Sequence, residues 1–457
     1  MIYRAFLFAV AVLLTLYTLS TTGCGVSESS TQPPKQANIF SPANTQEWLT
    51  QFGTGATSLP SLPSDGALAL ASDSQSNVFA AGYTLGAFPG YTGPIGYPHA
   101  FVTKLDSTGR QLWTNEYGAA ISSEILGGGT DASGNFLAAG RTNGAFPGFS
   151  NPSGTGEIFA MKLSSAGATL WLQQGLIGGY SAPTAATTDP SGNLYVAGYW
   201  AATPSSPGRG LFVEKLRASD GSVLWSQTYG GNTLDDINAI TTDPNGNALV
   251  AGDSNGLFPG TNTTAAGLPF VLKLSGVDGS TTWVQQLQSA PLPPASILSA
   301  ITSDAGGNAI VGGGVSTTFL SVNFGAVPGA RCLLMKLDGQ TGNVDWLETF
   351  GTGAGDQIFG IAAGTTGSIF AAGATDGLFA QNYTTTNDLF LLKFDNLGNN
   401  QWVQQVGNGA AGSIGNGSLL AATPDGGVTL SGPTNGAYVG FSNPNDSAET
   451  FIAHFLQ

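Results

Sequence analysis

Residues 131–140 read Asp131-Ala-Ser-Gly-Asn135-Phe-Leu-Ala-Ala-Gly140, a polar turn that leads into a short apolar run closed by glycine. Similar segments return along the chain at spacings of 54 to 65 residues. A period of this size is typical of repeat proteins, in which each unit buries its apolar faces against its neighbours. The fold is therefore decided by what one unit contains and by how many units the chain holds.

Three residue types keep the same phase in seven copies of this unit. A tryptophan occupies one position in all of them: Trp48, Trp113, Trp171, Trp225, Trp283, Trp346 and Trp402. A glycine closes the apolar run: Gly82, Gly140, Gly198, Gly252, Gly313, Gly373 and Gly432. A lysine lies inside a second apolar run, with histidine in the seventh copy: Lys104, Lys162, Lys215, Lys273, Lys336, Lys393 and His454. Because three independent markers agree, the chain contains seven units.

Each unit is predicted to form four short strands. In the second unit these are residues 125–130, 136–140, 158–163 and 169–173, which are apolar runs bounded by Gly, Asn, Asp, Pro and Ser. Four strands in a period of this length indicate an all-β fold, a seven-bladed β-propeller with four antiparallel strands per blade. A strand at Trp48 is expected to complete the last blade, whose third strand is residues 451–456, and so to close the ring without open edges.

Composition agrees with this class and excludes others. Apolar residues make up 41% of the 457 residues, enough to fold, whereas charged residues make up only 9%, against about 25% in typical domains. A coiled coil is thereby excluded and a helix-rich surface disfavoured. The net charge is −15 and there is no cluster of Lys or Arg, so a nucleic-acid partner is excluded, because such partners are held through their phosphates.

The first residues are similar to a bacterial lipoprotein signal. A basic start at Arg4 precedes an apolar stretch over residues 5–19, and Gly23-Cys24 follows at the expected cleavage point. The resemblance implies cleavage after residue 23, acylation of Cys24 with diacylglycerol and a palmitate-like chain, and an outer-membrane lipoprotein of the bacterial cell envelope. An ordinary secretory signal is the alternative. We therefore expect a signal peptide over 1–23, a lipidated Cys24 with a flexible tether over 24–42, and the propeller over 43–457.

The repeat itself resembles the SBBP family, a bacterial seven-bladed β-propeller repeat. The shared pattern is Asp-x-x-Gly-Asn, an apolar run, Ala-Gly-x-Thr, Phe-Pro, Phe-x-x-Lys-Leu, Trp and Tyr-Gly-Gly, as in Asp189-Pro-Ser-Gly-Asn193 and Tyr229-Gly-Gly231. Units three, five and seven depart from it, because Trp200 replaces the Thr, Gly314 follows Gly313 and Thr423 replaces the Asp. The family implies an exported propeller and no defined activity.

Sequence motifs of catalysis have structural explanations here. Gly252-Asp-Ser254-Asn-Gly256 matches a nucleophile elbow, but the same slot recurs in other units as a repeat element. A serine hydrolase also needs a histidine base, and the chain has only His99 and His454. We therefore expect no enzyme and no cofactor. Cys332, in an apolar run, is expected to be a buried thiol.

Two repeated polar features are expected to be structural. The turns beginning at Asp73, Asp131, Asp189, Asp243 and Asp304 lack the spacing of a calcium loop, so these carboxylates should cap their own turns or pair with the repeated lysines. The tryptophans follow glycine-containing turns, similar to the docking motif of quinoprotein-type propellers, and should lock neighbouring blades.

The residues that open the first strand of each unit form a candidate ligand or cation site. Aligning the copies gives a polar, mostly acidic series near the axis: Asp65, Glu124, Ser181, Asp235 with Asp236, Ser296, Asp356 and Asn416. Oxygen ligands at this density could hold calcium. The alternative is a solvated acidic rim.

The long connections make one face of the ring a candidate binding surface. Loops after the second and fourth strands emerge on the same face and carry aromatic residues: Phe88, Tyr91, Tyr97, Phe146, Phe149, Phe258, Tyr383 and Phe441. These rings either bind a ligand or cover the blade edges.

We expect a monomeric, membrane-anchored binding or scaffolding module for an envelope protein or glycan. The alternatives are an envelope enzyme at the channel mouth, such as a polysaccharide lyase or metal-dependent hydrolase, and a structural or adhesion protein.

Overall fold

The structure is a computed structural model. It describes residues 46–55, 65–93, 96–119, 121–152, 154–177, 180–201, 203, 206, 208–230, 235–254, 258, 268–287, 296–315, 331–379, 388–406, 419–434 and 449–456. The expected signal peptide, Cys24 and the tether lie outside these residues. So do Asn416, Tyr383 and Phe441.

Twenty-eight strands form seven antiparallel sheets of four in the described part of the chain. The first blade contains β2 (Asp65–Ser72), β3 (Val78–Thr84), β4 (His99–Leu105) and β5 (Gln111–Tyr117). The second contains β6 (Ser123–Thr130), β7 (Phe136–Thr142), β8 (Glu157–Leu163) and β9 (Thr169–Gln174). The third contains β10 (Tyr180–Thr188), β11 (Leu194–Ala201), β12 (Gly210–Leu216) and β13 (Val223–Gly230). The fourth contains β14 (Asp235–Thr242), β15 (Ala248–Ser254), β16 (Leu268–Leu274) and β17 (Thr281–Gln286).

The remaining blades follow the same plan. The fifth contains β18 (Ser296–Ser303), β19 (Ala309–Val315), β20 (Arg331–Leu337) and β21 (Val344–Phe350). The sixth contains β22 (Asp356–Ala363), β23 (Ile369–Thr375), β24 (Asp388–Phe394) and β25 (Asn400–Val406). The seventh contains β26 (Leu419–Ala422), β27 (Val428–Thr434) and β28 (Glu449–Phe455), with β1 (Gln46–Phe52) paired antiparallel to β28.

The seven sheets form a ring, because the first strand of each blade contacts the first strands of both neighbouring blades. This confirms the predicted fold class, and in the second blade the predicted strands lie within the observed ones. The first strand bulges between Ile125 and Gly127 and brings the carbonyl of Glu124 close to Gly140. A Cβ on Gly140 would lie 1.9 Å from that oxygen, and the equivalent approach explains the glycine in the first six copies.

Seven hydrophobic clusters make up the core of the described residues, and each lies between two adjacent blades. In the first of them, Phe79 from blade one stacks on Phe136 from blade two, with ring centroids 5.1 Å apart. Blade-to-blade burial is therefore what holds the ring together. Cys332 is buried in this core as predicted, and burial raises the pKa of its thiol.

Candidate functional site

We call the end of the ring formed by the turns within hairpins, between the first and second and between the third and fourth strands, the turn face. Here the repeated aspartates and lysines meet. Asp243 accepts hydrogen bonds from the backbone amides of Asn245 and Asn247, both at 2.9 Å, and Lys273 Nζ lies 2.8 Å from its other oxygen. Burial alone would raise the pKa of Asp243, but the hydrogen bonds from Lys273 and Asn247 lower it below its ordinary value.

The same contact recurs around the turn face. The nitrogen–oxygen distances are 3.2 Å for Lys104–Asp73, 2.8 Å for Lys162–Asp131, 2.9 Å for Lys215–Asp189, 2.8 Å for Lys336–Asp304 and 3.3 Å for His454–Asp425. In the seventh blade Asp425 thus supplies the carboxylate two residues after Thr423. Both structural roles considered for the turn aspartates, capping and pairing, are present in the same side chain.

The repeated tryptophans connect each blade to the next on this face. Trp283 Nε1 donates to the carbonyl oxygen of Gly339 at 3.1 Å, and Lys273 Nζ donates to the same oxygen at 2.7 Å. Gly342, with φ +73°, lies beneath the Trp283 ring, where a Cβ would approach to 2.7 Å. The equivalent tryptophan bonds are Trp48 to Ser107, Trp113 to Ser165, Trp171 to Ala218, Trp225 to Gly276 and Trp346 to Asn396. The turn face is therefore occupied by its own internal contacts.

The opposite end, with the connections between second and third strands and between blades, is the loop face. The three aspartates predicted to form an acidic rim here are buried: Asp65 and Asp356 are 0% exposed and Asp235 is 3% exposed. Asp65 accepts hydrogen bonds from the Thr54 amide at 2.9 Å and from Thr84 Oγ1 at 2.5 Å. The prediction of a solvated rim was wrong for these residues, because their carboxylates are buried, and Asp65 and Asp356 accept hydrogen bonds from the connections between blades.

Asp356 and Asp235 are held in the same way. Asp356 accepts from the Thr352 amide and Thr375 Oγ1, both at 2.6 Å, and Asp235 accepts from Ser254 Oγ at 2.6 Å. Within the described residues no group of three His, Cys, Asp or Glu side chains is arranged to hold a metal. The calcium ring therefore has no geometric support at these positions.

Glu124 and Asp236 belong to a different row of side chains. In the second blade Ser123 lies opposite Thr142, just as Asp65 lies opposite Thr84 in the first blade. Ser123 is therefore the equivalent of Asp65, and the predicted acidic series was wrong by one residue in placing Glu124 there. Because successive side chains in a strand point to opposite faces, this shift changes the environment completely. Glu124 and Asp236 are only half-buried, and each pairs with an arginine.

The row of side chains that contains Glu124 and Asp236 also contains the residue between the repeated glycine and threonine, which is the variable position x of Ala-Gly-x-Thr. Across the hairpin, Glu124 lies opposite Arg141, Ala182 opposite Tyr199 and Asp236 opposite Asp253. Blades five and six have Ile297 opposite Gly314 and Gln357 opposite Ala374. Among the described residues, the charged side chains of this row are thus confined to one sector, since blade one has Gly66 opposite Tyr83 and the polar Gln357 of blade six is buried and uncharged. We define the mouth cluster as Glu124, Arg141, Tyr199, Arg209, Asp236 and Asp253.

Two groups of contacts make up the mouth cluster. Glu124 is hydrogen-bonded to Arg141 Nε, and the Arg209 guanidinium is hydrogen-bonded to Asp236 while its carbon lies 4.5 Å from the centre of the Tyr199 ring. Arg209 comes from blade three and Asp236 from blade four, so this pair bridges two blades. The side chains of the paired residues are 18% to 37% exposed, which leaves them accessible.

The two opposed aspartates have unusual protonation. Burial, and after it the neighbouring charge of Asp236, raise the pKa of Asp253 to about 6. Asn238 Nδ2 donates to Asp253 Oδ1 at 3.1 Å. Burial also raises the pKa of Asp236, although Arg209 opposes this. The pair therefore gains and loses a proton close to neutral pH.

Most of the loop-face phenylalanines cover blade edges. Phe88, Phe146 and Phe258 are buried, and Phe258 packs on Phe270 with centroids 4.7 Å apart. Tyr97, in contrast, is 52% exposed. Of the two interpretations offered for these aromatics, the structural one holds for the three phenylalanines.

A side chain from the fourth strand holds each of these loops. The Phe146 amide donates to Gln174 Oε1 at 3.0 Å, and the Phe379 amide donates to Gln405 Oε1 at 3.1 Å. In the first blade Glu116 is the acceptor of the Phe88 amide. We call this contact the loop clamp.

The fold and the site define a class of protein, the seven-bladed β-propeller with a regular turn face and a variable loop face. Residues 224–259 match the SBBP family model, described as a beta-propeller repeat, so the chain carries this repeat. Among curated proteins, none matches the sequence. No helix in the described residues is long and apolar enough to cross a membrane.

Solved structures share the fold at low sequence identity. The Pan2 WD40 domain from Neurospora crassa is 10% identical with a TM-score of 0.51, and the match covers 90% of this chain and 96% of that one. BamB from Moraxella catarrhalis is 11% identical with a TM-score of 0.41, covering 91% and 98%. Quinohemoprotein alcohol dehydrogenase from Comamonas testosteroni is 10% identical with a TM-score of 0.45, covering 90% and 76%. At such identities the likeness concerns the fold alone.

Proposed function

We infer that this protein is a binding or scaffolding module of the bacterial cell envelope, anchored through a lipid on Cys24, that holds a protein or a glycan on its loop face. The observation that carries this inference is the mouth cluster. It groups accessible arginine, tyrosine and carboxylate side chains on one sector of the ring, at positions where blades one, five and six have no charged residue. Polar side chains that depart from a structural repeat, on a rigid scaffold, are typical of a binding surface.

The anchor is tested separately from the binding. In the full chain expressed in a Gram-negative host, Cys24 should incorporate an alkyne-labelled palmitate, and the protein should fractionate with the outer membrane. Cys24→Ala should lose both the label and the membrane association. A Cys24→Ala variant that remains membrane-bound would contradict the lipid anchor and leave the binding proposal untouched.

The binding surface is tested by site-specific crosslinking in the full chain. A photoreactive residue placed at Tyr97, which is exposed near the loop face, should trap the envelope partner. The same residue at Arg110, exposed on the turn face, is the matched control and should trap nothing, because that face is filled by its own contacts. Equal trapping from both faces would contradict a loop-face function.

An enzyme at the channel mouth is the second candidate, favoured by the opposed carboxyl groups of Asp236 and Asp253. A carboxyl group with a pKa of about 6 can serve as a general acid near neutral pH, and the neighbouring carboxyl group of Asp236 is hydrogen-bonded to Arg209. Incubation with envelope polysaccharides, followed by measurement of new reducing or unsaturated ends, tests this. Cleavage that is lost in Asp253→Asn would favour the enzyme over the binding module.

A further inference from the structure

The charges of the mouth cluster are already matched within the protein. Glu124 pairs with Arg141, and Asp236 pairs with Arg209. Asp253 is the remaining acid, and its pKa of about 6 leaves it partly protonated close to neutral pH. The cluster therefore offers many hydrogen-bonding atoms, and four of its five charged groups are matched in two pairs.

This arrangement discriminates between classes of ligand. An anion such as a phosphate that takes an arginine over from Glu124 or Asp236 separates a pair, and so does a cation that takes over one of these carboxylates. Separating one member of a half-buried pair leaves its partner poorly compensated, which costs free energy. An uncharged ligand with hydroxyl groups avoids this cost, because a hydroxyl group can accept from a guanidinium and donate to the carboxylate beside it.

The aromatic members add an apolar surface to these polar groups. The ring of Tyr199 lies between Arg209, 4.5 Å from its centre, and Tyr180, whose ring centroid is 6.4 Å away. Both rings are only partly buried. Adjacent tyrosine rings and paired arginine–carboxylate groups together suit a molecule that has C–H faces and hydroxyl edges.

The extent of the cluster limits the size of the ligand. It spans neighbouring positions in blades two, three and four, whereas the same row in blades five and six contains Ile297, Gly314, Ala374 and the fully buried Gln357, none of them charged. A short ligand on one sector fits this pattern better than a ring-shaped or axial one. We propose that the mouth cluster binds a neutral saccharide of one to three sugar units, as a free glycan or as the end of a longer chain. This proposal rests on the proposed function and specifies the ligand class of that same loop-face site.

The experiment measures binding of neutral glycans to the full chain, first on an array and then by calorimetry with the free sugar, with cellobiose and N,N′-diacetylchitobiose as probes. Inorganic phosphate and spermidine are the charged comparisons. We expect a neutral glycan to bind with a Kd that changes less than about twofold between low and high salt, because screening acts on net charge. Phosphate and spermidine should not compete.

The variants assign this binding to the cluster. Tyr199→Ala and Arg209→Ala should each weaken it at least about tenfold, which corresponds to about 1.4 kcal/mol. Tyr199→Phe retains the ring and should stay within about threefold of the parent chain. Arg331→Ala removes an exposed loop-face arginine outside the cluster and should change nothing. Unchanged melting curves distinguish lost binding from lost folding.

Each other outcome decides against part of this account. An array without any neutral hit, or binding of phosphate or spermidine that Arg209→Ala abolishes, overturns the saccharide proposal. If in addition the crosslinked protein partner is lost in Tyr199→Ala and Arg209→Ala, the proposed function survives with a protein as the ligand. If neither a glycan nor a protein partner responds to these variants, the proposed function fails as well.

Discussion

The two faces of this ring use the same repeat in opposite ways. On the turn face, the aspartate, lysine and tryptophan positions make the same contacts in blade after blade, and Lys273 shows the pattern with its bonds to Asp243 and to the Gly339 carbonyl. On the loop face, equivalent positions differ in chemistry, as Arg141, Tyr199 and Asp253 show. Contacts that recur from copy to copy hold the blades together, whereas positions that differ between copies give individual blades their own surface chemistry.

Removing one member of a buried ion pair on the turn face should lower the stability of the protein more than the other substitutions considered below. Asp243→Ala leaves the Lys273 ammonium nearly buried without its carboxylate and removes the acceptor of two backbone amides. We expect the free energy of unfolding to fall by about 3–5 kcal/mol. Urea denaturation followed by tryptophan fluorescence measures this loss.

A matched control is available in an exposed turn of the same kind. Asp106 also accepts bonds from its own turn and pairs with Arg110, but the Arg110 side chain is 75% exposed. Asp106→Ala should cost about 1 kcal/mol or less, because exposed pairs contribute little. Equal losses in the two variants would show that turn capping, and not the buried pair, stabilises this face.

A departure from the repeat inside the core provides a second test. Glu214 is 3% exposed at a position that is Met161 in blade two and Leu272 in blade four, and burial raises the pKa of Glu214 to about 7. Because the folded state then binds more protons than the unfolded chain, stability falls as pH rises from about 4.5 to about 7 and stays low above that.

Replacing Glu214 by the residue of a neighbouring blade should remove this cost. Glu214→Met should raise the free energy of unfolding at pH 8 by about 1–3 kcal/mol, because a buried charge is exchanged for an apolar side chain of similar size. Near pH 4 the two proteins should unfold alike. Denaturation at both pH values measures the difference, and a variant that is destabilised at pH 8 would show that the carboxylate has a necessary partner.

The sequence predicted the parts of the molecule that repeat. Seven blades, four strands per blade and the aspartate–lysine and tryptophan contacts all follow from markers that recur in phase, so each copy supports the others. The fate of Asp65 could not be predicted in this way, because its burial depends on Thr54 and Thr84, which come from two neighbouring blades. Register mattered as well, since a one-residue difference separates the buried Ser123 from the accessible Glu124.

The sequence predicted Glu124 and Asp236 of the mouth cluster as candidate site residues, but not its other four members. Arg141, Tyr199 and Asp253 all stand at the variable position after the repeated glycine, and the change of residue type from copy to copy was the available signal. Arg209 lies in a loop outside the repeat, so only the structure could bring it to Asp236. Non-repeating positions beside repeating ones therefore carry the functional information in such a chain.

The loop clamp allows two blades to be compared at a single equivalent position, and the expected change in stability is the smallest of those predicted here. Glu116 does in blade one what Gln174 does in blade two, but its carboxylate is buried beside His99, with 3.7 Å between His99 Nδ1 and Glu116 Oε2. Burial raises the pKa of Glu116 and lowers that of His99.

Glu116→Gln keeps an acceptor for the Phe88 amide and removes the buried charge. At pH 8 this variant should therefore change the free energy of unfolding by less than about 1 kcal/mol, towards greater stability. Glu116→Ala leaves that amide without an acceptor and should cost about 1–2 kcal/mol. Thermal unfolding at pH 8 compares the two variants with Gln174→Ala, whose loss should match that of Glu116→Ala if the clamp works alike in both blades. Should Glu116→Gln lose as much as Glu116→Ala, the charge beside His99 would be an essential part of blade one, and this position would join those where the blades differ in function.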